Sequence, residues 1–342
     1  MTHHVVSLAE IQAARPTVTS QVHRTPLLSS LTAGRFVEAA TGAQLADGRL
    51  YLKAEHLQKT GSFKTRGMTW KVASLTPEER TRGIITLSAG NAAQAYAWAG
   101  ASAGVPVTVV MPAAAVRSKV DACLGYGAEV VLHGTNIAEA LAEMERIRDA
   151  RGLTYCHPFD DPWVIAGHGS IGLEILEDLP DVDVVVVGVG GGGLISGIAA
   201  ALKESRPGVR VYGVEPERSN ALSLAMEKGE IVRLQPVSVA DGLGAPFAGE
   251  WTLAMAKHYL NGVILLDDPT ILAGMRFAAE RMKQVLEPAG AAALAALLSG
   301  RIPVNAGERV VAVASGGNVE VSRIAELFAA ASALPGAQAA GA

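Results

Sequence analysis

A chain of 342 residues, 49% of them apolar, has the length for two packed α/β domains. Its formal net charge of −4, scattered Lys and Arg and 5% aromatic content exclude the basic, stacking surface of a nucleic-acid binder and the polybasic block of a lipid binder. Two cysteines, Cys123 and Cys156, argue against a disulfide framework and suit a reducing compartment, so a cytoplasmic location is expected.

The first fifteen residues lack a basic start followed by an apolar block, so no secretory signal is expected. The first chemically informative string is Thr60-Gly61-Ser62-Phe63-Lys64-Thr65-Arg66-Gly67. Ser62 reads as an N-cap, starting a helix at Phe63 and Lys64 that runs to about Leu75. The helix dipole disfavours an ammonium at that end, which lowers the amine pKa and makes Lys64 a better nucleophile than a solvated lysine.

From residue 83 onward, β-branched apolar runs alternate with Ala-rich helical stretches. The pairs are 83–87 with 92–103, 105–111 with 116–125, 182–187 with 194–203, 209–214 with 221–228, and 310–314 with 320–331. Strands apolar on both faces and separated by helices indicate parallel, helix-covered sheets, an α/β class with at least one doubly wound sheet. The uncharged stretches 84–116 and 184–202 are broken by prolines, polar residues and glycines, so they read as strand–turn–helix units rather than membrane spans. A composition break near 151–153 follows the charged helix 137–150. It suggests a small α/β domain, 83–153, inserted in a large one made of 1–82 and 154–330, with 331–342 as a flexible tail.

Ser88-Ala89-Gly90-Asn91 follows a strand and opens a helix, leaving free amides suited to a carboxylate. Cys156, His157 and His168 match no zinc spacing, and Asp160, Asp161 and Glu174 read as loop and cap residues. Gly188 to Gly193 is the turn between a strand and a helix. Glycines there let the backbone approach an oxyanion closely, and the opening amides of the helix face it. The same turn satisfies Gly188-x-Gly190-x-x-Gly193 with Glu215 ending the next strand, so a nicotinamide-dependent oxidoreductase is the rival reading. That rival leaves Lys64 without a role. A reactive amine and a phosphate cradle, far apart in sequence, are what an aldehyde cofactor bearing a phosphate requires, and pyridoxal 5′-phosphate leads. Ser315-Gly316-Gly317-Asn318 closes the last strand in the same strand-end layer.

Together these strings resemble the fold type II pyridoxal-phosphate enzymes of the threonine/serine dehydratase and serine racemase branch. The markers run in order from Arg24-Thr25-Pro26-Leu27 through Lys53-x-Glu55-x-x-Gln58-x-Thr60-Gly61-Ser62-Phe63-Lys64, Ser88-x-Gly90-Asn91 and His157-Pro158-Phe159-Asp160-Asp161-Pro162. They continue with the tetraglycine and Leu194, Ala240-Asp241-Gly242, Glu287-Pro288-Ala289-Gly290 and Ser315-Gly316-Gly317-Asn318. The resemblance implies the tryptophan synthase β-like fold, two doubly wound α/β domains with the active site between them. It implies that Lys64 holds the cofactor covalently and then serves as acid and base at the substrate Cα. Gly190, Gly191, Gly192, Gly193 and Leu194 would hold the phosphate, Asn91 the 3′-oxygen, and Ser315 would face the pyridine nitrogen, with Phe63 close to the ring. Ser88, Ala89, Gly90 and Asn91 would receive the substrate carboxylate.

A neutral hydroxyl at Ser315 makes the ring a weaker electron sink than an aspartate would, favouring prompt loss of a β-hydroxyl. The implied activity is therefore dehydration and deamination of L-threonine or L-serine to a 2-oxo acid and ammonia, by a homodimer. The chain departs from the branch at Ala92 where His is frequent, at Ala89 where racemases carry serine, at His168 for Gln and at Met68 for Ala. The stretch Pro216 to Ala221 lacks the aspartate of metal-dependent relatives, so no metal is expected. A bulkier or acidic hydroxyamino acid as substrate, a racemase and a silent amino-acid-binding relative stand as alternatives beside the oxidoreductase.

Overall fold

The computed structural model describes residues 5–335; residues 1–4, and 336–342 of the expected tail, lie outside the described residues. Ten strands fall into two sheets. The larger has the order β1-β2-β10-β7-β8-β9. Here β1 is Leu27–Ser30, β2 Leu50–Lys53, β7 Val184–Gly188, β8 Arg210–Pro216, β9 Gly262–Leu266 and β10 Val310–Val313. Five of its strands run parallel, and β1 joins the edge antiparallel to β2, with Leu27 opposite Lys53. That antiparallel edge strand was not visible as a period in the sequence, because β1 is four residues long and only partly buried.

Alternation along the central strands sorts side chains onto two cores. Val185, Val187, Val311 and Val313 face the helices Leu8–Gln21, Pro162–Asp178 and Gly193–Ser205. Val184, Val186, Val310 and Ala312 face the helix Pro288–Leu298, every residue of which is buried. Burying each valine contributes about 1.5–3 kcal/mol, enough to offset the roughly 1–2 kcal/mol needed to fix its backbone. This is why β7 and β10 tolerate no polar residue on either face.

The smaller sheet has the order β5-β4-β3-β6, all parallel. Its strands are β3 Ile84–Leu87, β4 Val107–Met111, β5 Glu129–Leu132 and β6 Thr154–Tyr155, so its last strand lies just past residue 153. Ile84, Val107, Val109 and Met111 pack on the Ala-rich helix Asn91–Ala103, whereas Ile85 and Val110 pack on Ala140, Met144 and Ile147 of the helix Ile137–Arg151. Both uncharged stretches are strand–turn–helix units, and no helix among the described residues is long and apolar enough to cross a membrane. The two sheets point the carboxyl ends of their strands toward one cavity.

Candidate active site

The approach to Lys64 is set by backbone conformation. Thr60 and Gly61 both have positive φ, 59° and 73°, and a Cβ on Gly61 would collide with the Asn318 carboxamide. Ser62 then pairs with Gly316 as an isolated bridge, and Phe63 N–H donates to Ser315 O at 3.0 Å. The expected N-cap is thereby corrected. Ser62 is extended, its hydroxyl is buried without a partner, and Phe63 precedes the helix Lys64–Ala73. Pairing with the β10 loop, not a serine cap, sets where the helix begins.

Lys64 Nζ donates to Pro158 O at 2.7 Å and sits 5.2 Å from the centre of the Phe63 ring. Burial pushes the amine down to about 8. The direction matches the sequence reading, and desolvation is the cause. Below this turn Arg66, fully buried, forks onto Glu55 (2.8 Å twice) and Glu174 (2.7 and 2.9 Å). Lys53 Nζ donates to Glu174 at 2.6 Å and to Thr25 O at 2.7 Å. Two buried cations thus face two buried carboxylates, tying the Lys64 helix to β2 and to the helix Pro162–Asp178. Glu174, read from sequence as a loop or cap residue, lies mid-helix inside this network. Asp161 does cap that helix, accepting from Trp163 and Val164 N–H.

His168 is also buried. Its Nδ1 accepts from Gly67 N–H at 3.1 Å and its ring meets Phe63 edge-on at 4.8 Å. A Cβ on Gly67 would lie 2.5 Å from the imidazole, so glycine there makes room for the histidine. Burial, reinforced by Lys64 and Arg66, holds His168 well below its usual range and therefore neutral. His157 Nδ1 accepts from Asp160 N–H at 2.8 Å. The two imidazoles are thus engaged separately, and no cluster of three candidate metal ligands occurs among the described residues.

The tetraglycine connects β7 to the helix Gly193–Ser205. Gly192 has φ +91°, and a Cβ on it would lie 2.9 Å from Thr252. Side chains on Gly191 and Gly193 would collide with Phe159. Among the described residues, no hydrogen bond engages the N–H groups of Gly190, Gly191, Gly192, Gly193 and Leu194. The turn is a set of unfilled donors at a helix N-terminus, backed by Phe159, and suits a phosphate. Glu215 is not placed for a ribose. Its carboxylate accepts from Leu222 N–H and from the N–H and hydroxyl of Ser223, capping the helix Ala221–Lys228.

A cavity of about 370 Å³ collects the rest. Its walls include Phe63, Lys64, Ser88, Ala89, Gly90, Asn91, all four glycines, Leu194 and Ser315. Every residue expected to hold the cofactor or the substrate carboxylate therefore lines one cavity, between the two sheets. Asn91 donates from Nδ2 to Glu287 at 2.7 Å and accepts at Oδ1 from Asn318 at 2.8 Å. Sequence reasoning gave Glu287 no role, although its string was noted; so too Pro158, Phe159 and Asp241, which also line the cavity.

Residues 18–316 match the family model described as "Pyridoxal-phosphate dependent enzyme". The chain belongs to this family. It is 41% identical to an L-threonine ammonia-lyase of Thermotoga maritima over 94% of this chain and 77% of that one. It is 40% identical to a catabolic L-threonine dehydratase of Staphylococcus aureus over 94% and 92%. Among solved structures, maize serine racemase superposes with a TM-score of 0.88 at 32% identity, covering 94% of this chain and 97% of that one. A processed threonine deaminase isoform of Solanum lycopersicum gives 0.86 at 33%, covering 95% and 87%. The fold is that of the fold type II enzymes and the cofactor is pyridoxal phosphate. The residues present fit that group. An amine lowered to about 8 shares a cavity with a turn of unfilled amides that admits no side chain.

Proposed function

We propose that this protein eliminates water from L-threonine or L-serine, releasing a 2-oxo acid and ammonia. The observation that carries the reading is the convergence of the Lys64 amine and the unfilled amides of the tetraglycine on one cavity, in a chain about 40% identical to threonine ammonia-lyases. When bound, pyridoxal phosphate supplies an electron-withdrawing ring that acidifies the amino acid's Cα–H. Gly190 to Gly193 and Leu194 hold its phosphate through their N–H groups. Asn91 and Ser315 engage its polar edge and Phe63 flanks it. The loop Ser88, Ala89, Gly90 and Asn91 takes the substrate carboxylate through the donors its own hydrogen bonds leave open, since Ser88 N–H already donates to Val110 O and Gly90 N–H to Ser88 Oγ.

Lys64, with its pKa near 8, has a substantial neutral fraction at mildly alkaline pH and takes the Cα proton. The β-hydroxyl leaves with a proton as water. The resulting enamine regains water to become the 2-oxo acid and frees ammonia. Ala89 offers no hydroxyl to deliver a proton to the opposite face of Cα, which favours elimination over racemisation. The reading extends to a small domain of about 83–153 inserted in a large one, and to a homodimer in the cytoplasm.

The test is direct. Purified protein should be yellow, borohydride should bleach it and fix the cofactor on the peptide containing Lys64, and threonine should yield a 2-oxo acid. Yellow protein giving no 2-oxo acid from threonine, serine, hydroxyaspartate or phenylserine would refute the activity. Sedimentation at micromolar concentration reports the dimer.

A further inference from the structure

Glu287 is the N-cap of the helix Pro288–Leu298, yet it does not cap that helix with its side chain. The carboxylate turns toward the cavity instead, where Oε1 accepts from Asn91 Nδ2 at 2.7 Å. It is buried, and a Cβ on the neighbouring Gly316 would strike it. On its other side Asn91 accepts from Asn318 Nδ2 at 2.8 Å, and the same Asn318 nitrogen donates to Thr60 O at 2.8 Å. Each link has a fixed polarity. An ionised carboxylate only accepts, so the amide nitrogen of Asn91 must face Glu287. A carbonyl only accepts, so the nitrogen of Asn318 must face Thr60 and its second hydrogen Asn91. The Asn91 oxygen is thereby spoken for, and its nitrogen keeps one hydrogen not used by Glu287.

We infer that Glu287 is a positioning residue that locks the Asn91 carboxamide so that an N–H, never the carbonyl, is available to the cofactor's oxygen. This rests on the pyridoxal-phosphate assignment and goes beyond it. Without an acceptor at position 287 only the Asn318 bond opposes a turn of the carboxamide, and the turned orientation presents an oxygen to an oxygen. Burial pushes the Glu287 carboxyl up to about 7; Asp241 adds to this, and the Asn91 hydrogen bond and Lys119 pull it back. Lys119, Asp241, Glu320 and Arg323 share a second cavity of about 380 Å³ with Glu287, and Lys64 shares the first. Above that pH the lock is at full strength. Below it, a protonated Glu287 can also donate, and only Asn318 opposes a turn of Asn91.

The experiment measures pyridoxal-phosphate dissociation constants of wild-type protein, Glu287→Ala, Glu287→Gln, Asn91→Ala and the Glu287→Ala/Asn91→Ala pair, at a pH of about 8.5. Visible spectra of the loaded proteins and thermal midpoints of the cofactor-free ones accompany them. Glu287→Ala and Asn91→Ala should each weaken binding roughly 10- to 100-fold. The pair should be no weaker than Asn91→Ala alone, because one residue acts through the other. Glu287→Gln, which keeps an acceptor, should bind within about threefold of wild type and keep its spectrum. If Glu287→Ala does not fold, Glu287→Leu replaces it, since it fills the volume without an acceptor. Additive losses, or wild-type affinity in Glu287→Ala, overturn the inference while the cofactor assignment stands. Wild-type protein that takes up no pyridoxal phosphate sinks that assignment and the inference with it.

Discussion

At the scale of single residues, the chemistry concentrates on an amine whose charge is removed by its surroundings. Among the described residues Lys64 contacts one carbonyl and an aromatic face and no carboxylate, so no opposite charge offsets the loss of water. Its lowered pKa, about 8, sets a sign. In cofactor-free protein the reactive neutral amine is scarce below that pH and dominant above it. The rate at which pyridoxal phosphate is captured covalently should therefore rise about tenfold per unit as pH approaches 8 from below, then level off. Stopped-flow absorbance on the cofactor-free protein reads this. A rate that keeps climbing past pH 10 would mean an unperturbed lysine. Lys64→Ala should abolish 2-oxo acid formation while leaving the far-ultraviolet circular dichroism unchanged.

Two glycines at the site make contrasting predictions from their backbones. Gly192 has φ +91° and contacts Thr252 where a side chain would go, so Gly192→Ala forces a left-handed alanine against a wall. That strain is worth roughly 1–2 kcal/mol, and it acts on the amides that hold a phosphate. Gly90 has an extended backbone, and a Cβ there meets nothing within 4 Å. Gly90→Ala should leave the melting temperature of the cofactor-free protein unchanged to within about half a degree, whereas Gly192→Ala should lower it by roughly 1.5–3 degrees. Equal shifts would refute the distinction.

Among elements, the Lys64 helix is held by charge more than by shape. Arg66 and Lys53 are both fully buried and share Glu174. A buried pair adds little over an apolar replacement, but removing one partner strands the other at a cost of about 3–5 kcal/mol. Glu174→Gln should thus lower the thermal midpoint by roughly 4–7 degrees and weaken cofactor binding, although Glu174 does not touch the cavity. A midpoint change under two degrees would contradict this network. None of it was readable beforehand. Lys53, Glu55, Arg66 and Glu174 come from four separate elements, and only the fold makes them neighbours. The strands were legible for the opposite reason, since runs such as Val184 to Val187 have every side chain in a core and carry their burial in their composition. The tetraglycine, Lys64 and Ser315 were legible because a sharp turn, an amine and a strand-end hydroxyl are each visible in a short string. Ser62 misled because a serine before a helix looks like a cap, while strand-like pairing with Gly316 is not a local property.

For the whole molecule, the cavity's position between two sheets means its shape depends on how they are held together. Two side-chain links cross from the helix Arg117–Gly125, beside the smaller sheet, to loops of the larger one. Lys119 meets Asp241 at 2.6 Å and Ser118 donates to Glu320 at 2.9 Å. Asp241 is 60% exposed, so the ion pair is screened and worth at most about 1 kcal/mol. Cutting both links with Ser118→Ala and Lys119→Ala should therefore leave global stability nearly intact, shifting the melting temperature by no more than a few degrees. Local opening is another matter, because it is governed by the contacts a segment must break rather than by the whole core. Amide exchange in the helix Arg117–Gly125 should accelerate several-fold in the double variant, with exchange in β7 and β10 unchanged. Mass-spectrometric hydrogen exchange resolves the two regions. Unchanged exchange in that helix would mean that the apolar contacts of Val120 and Cys123 with the core hold it in place, and that the polar links are incidental.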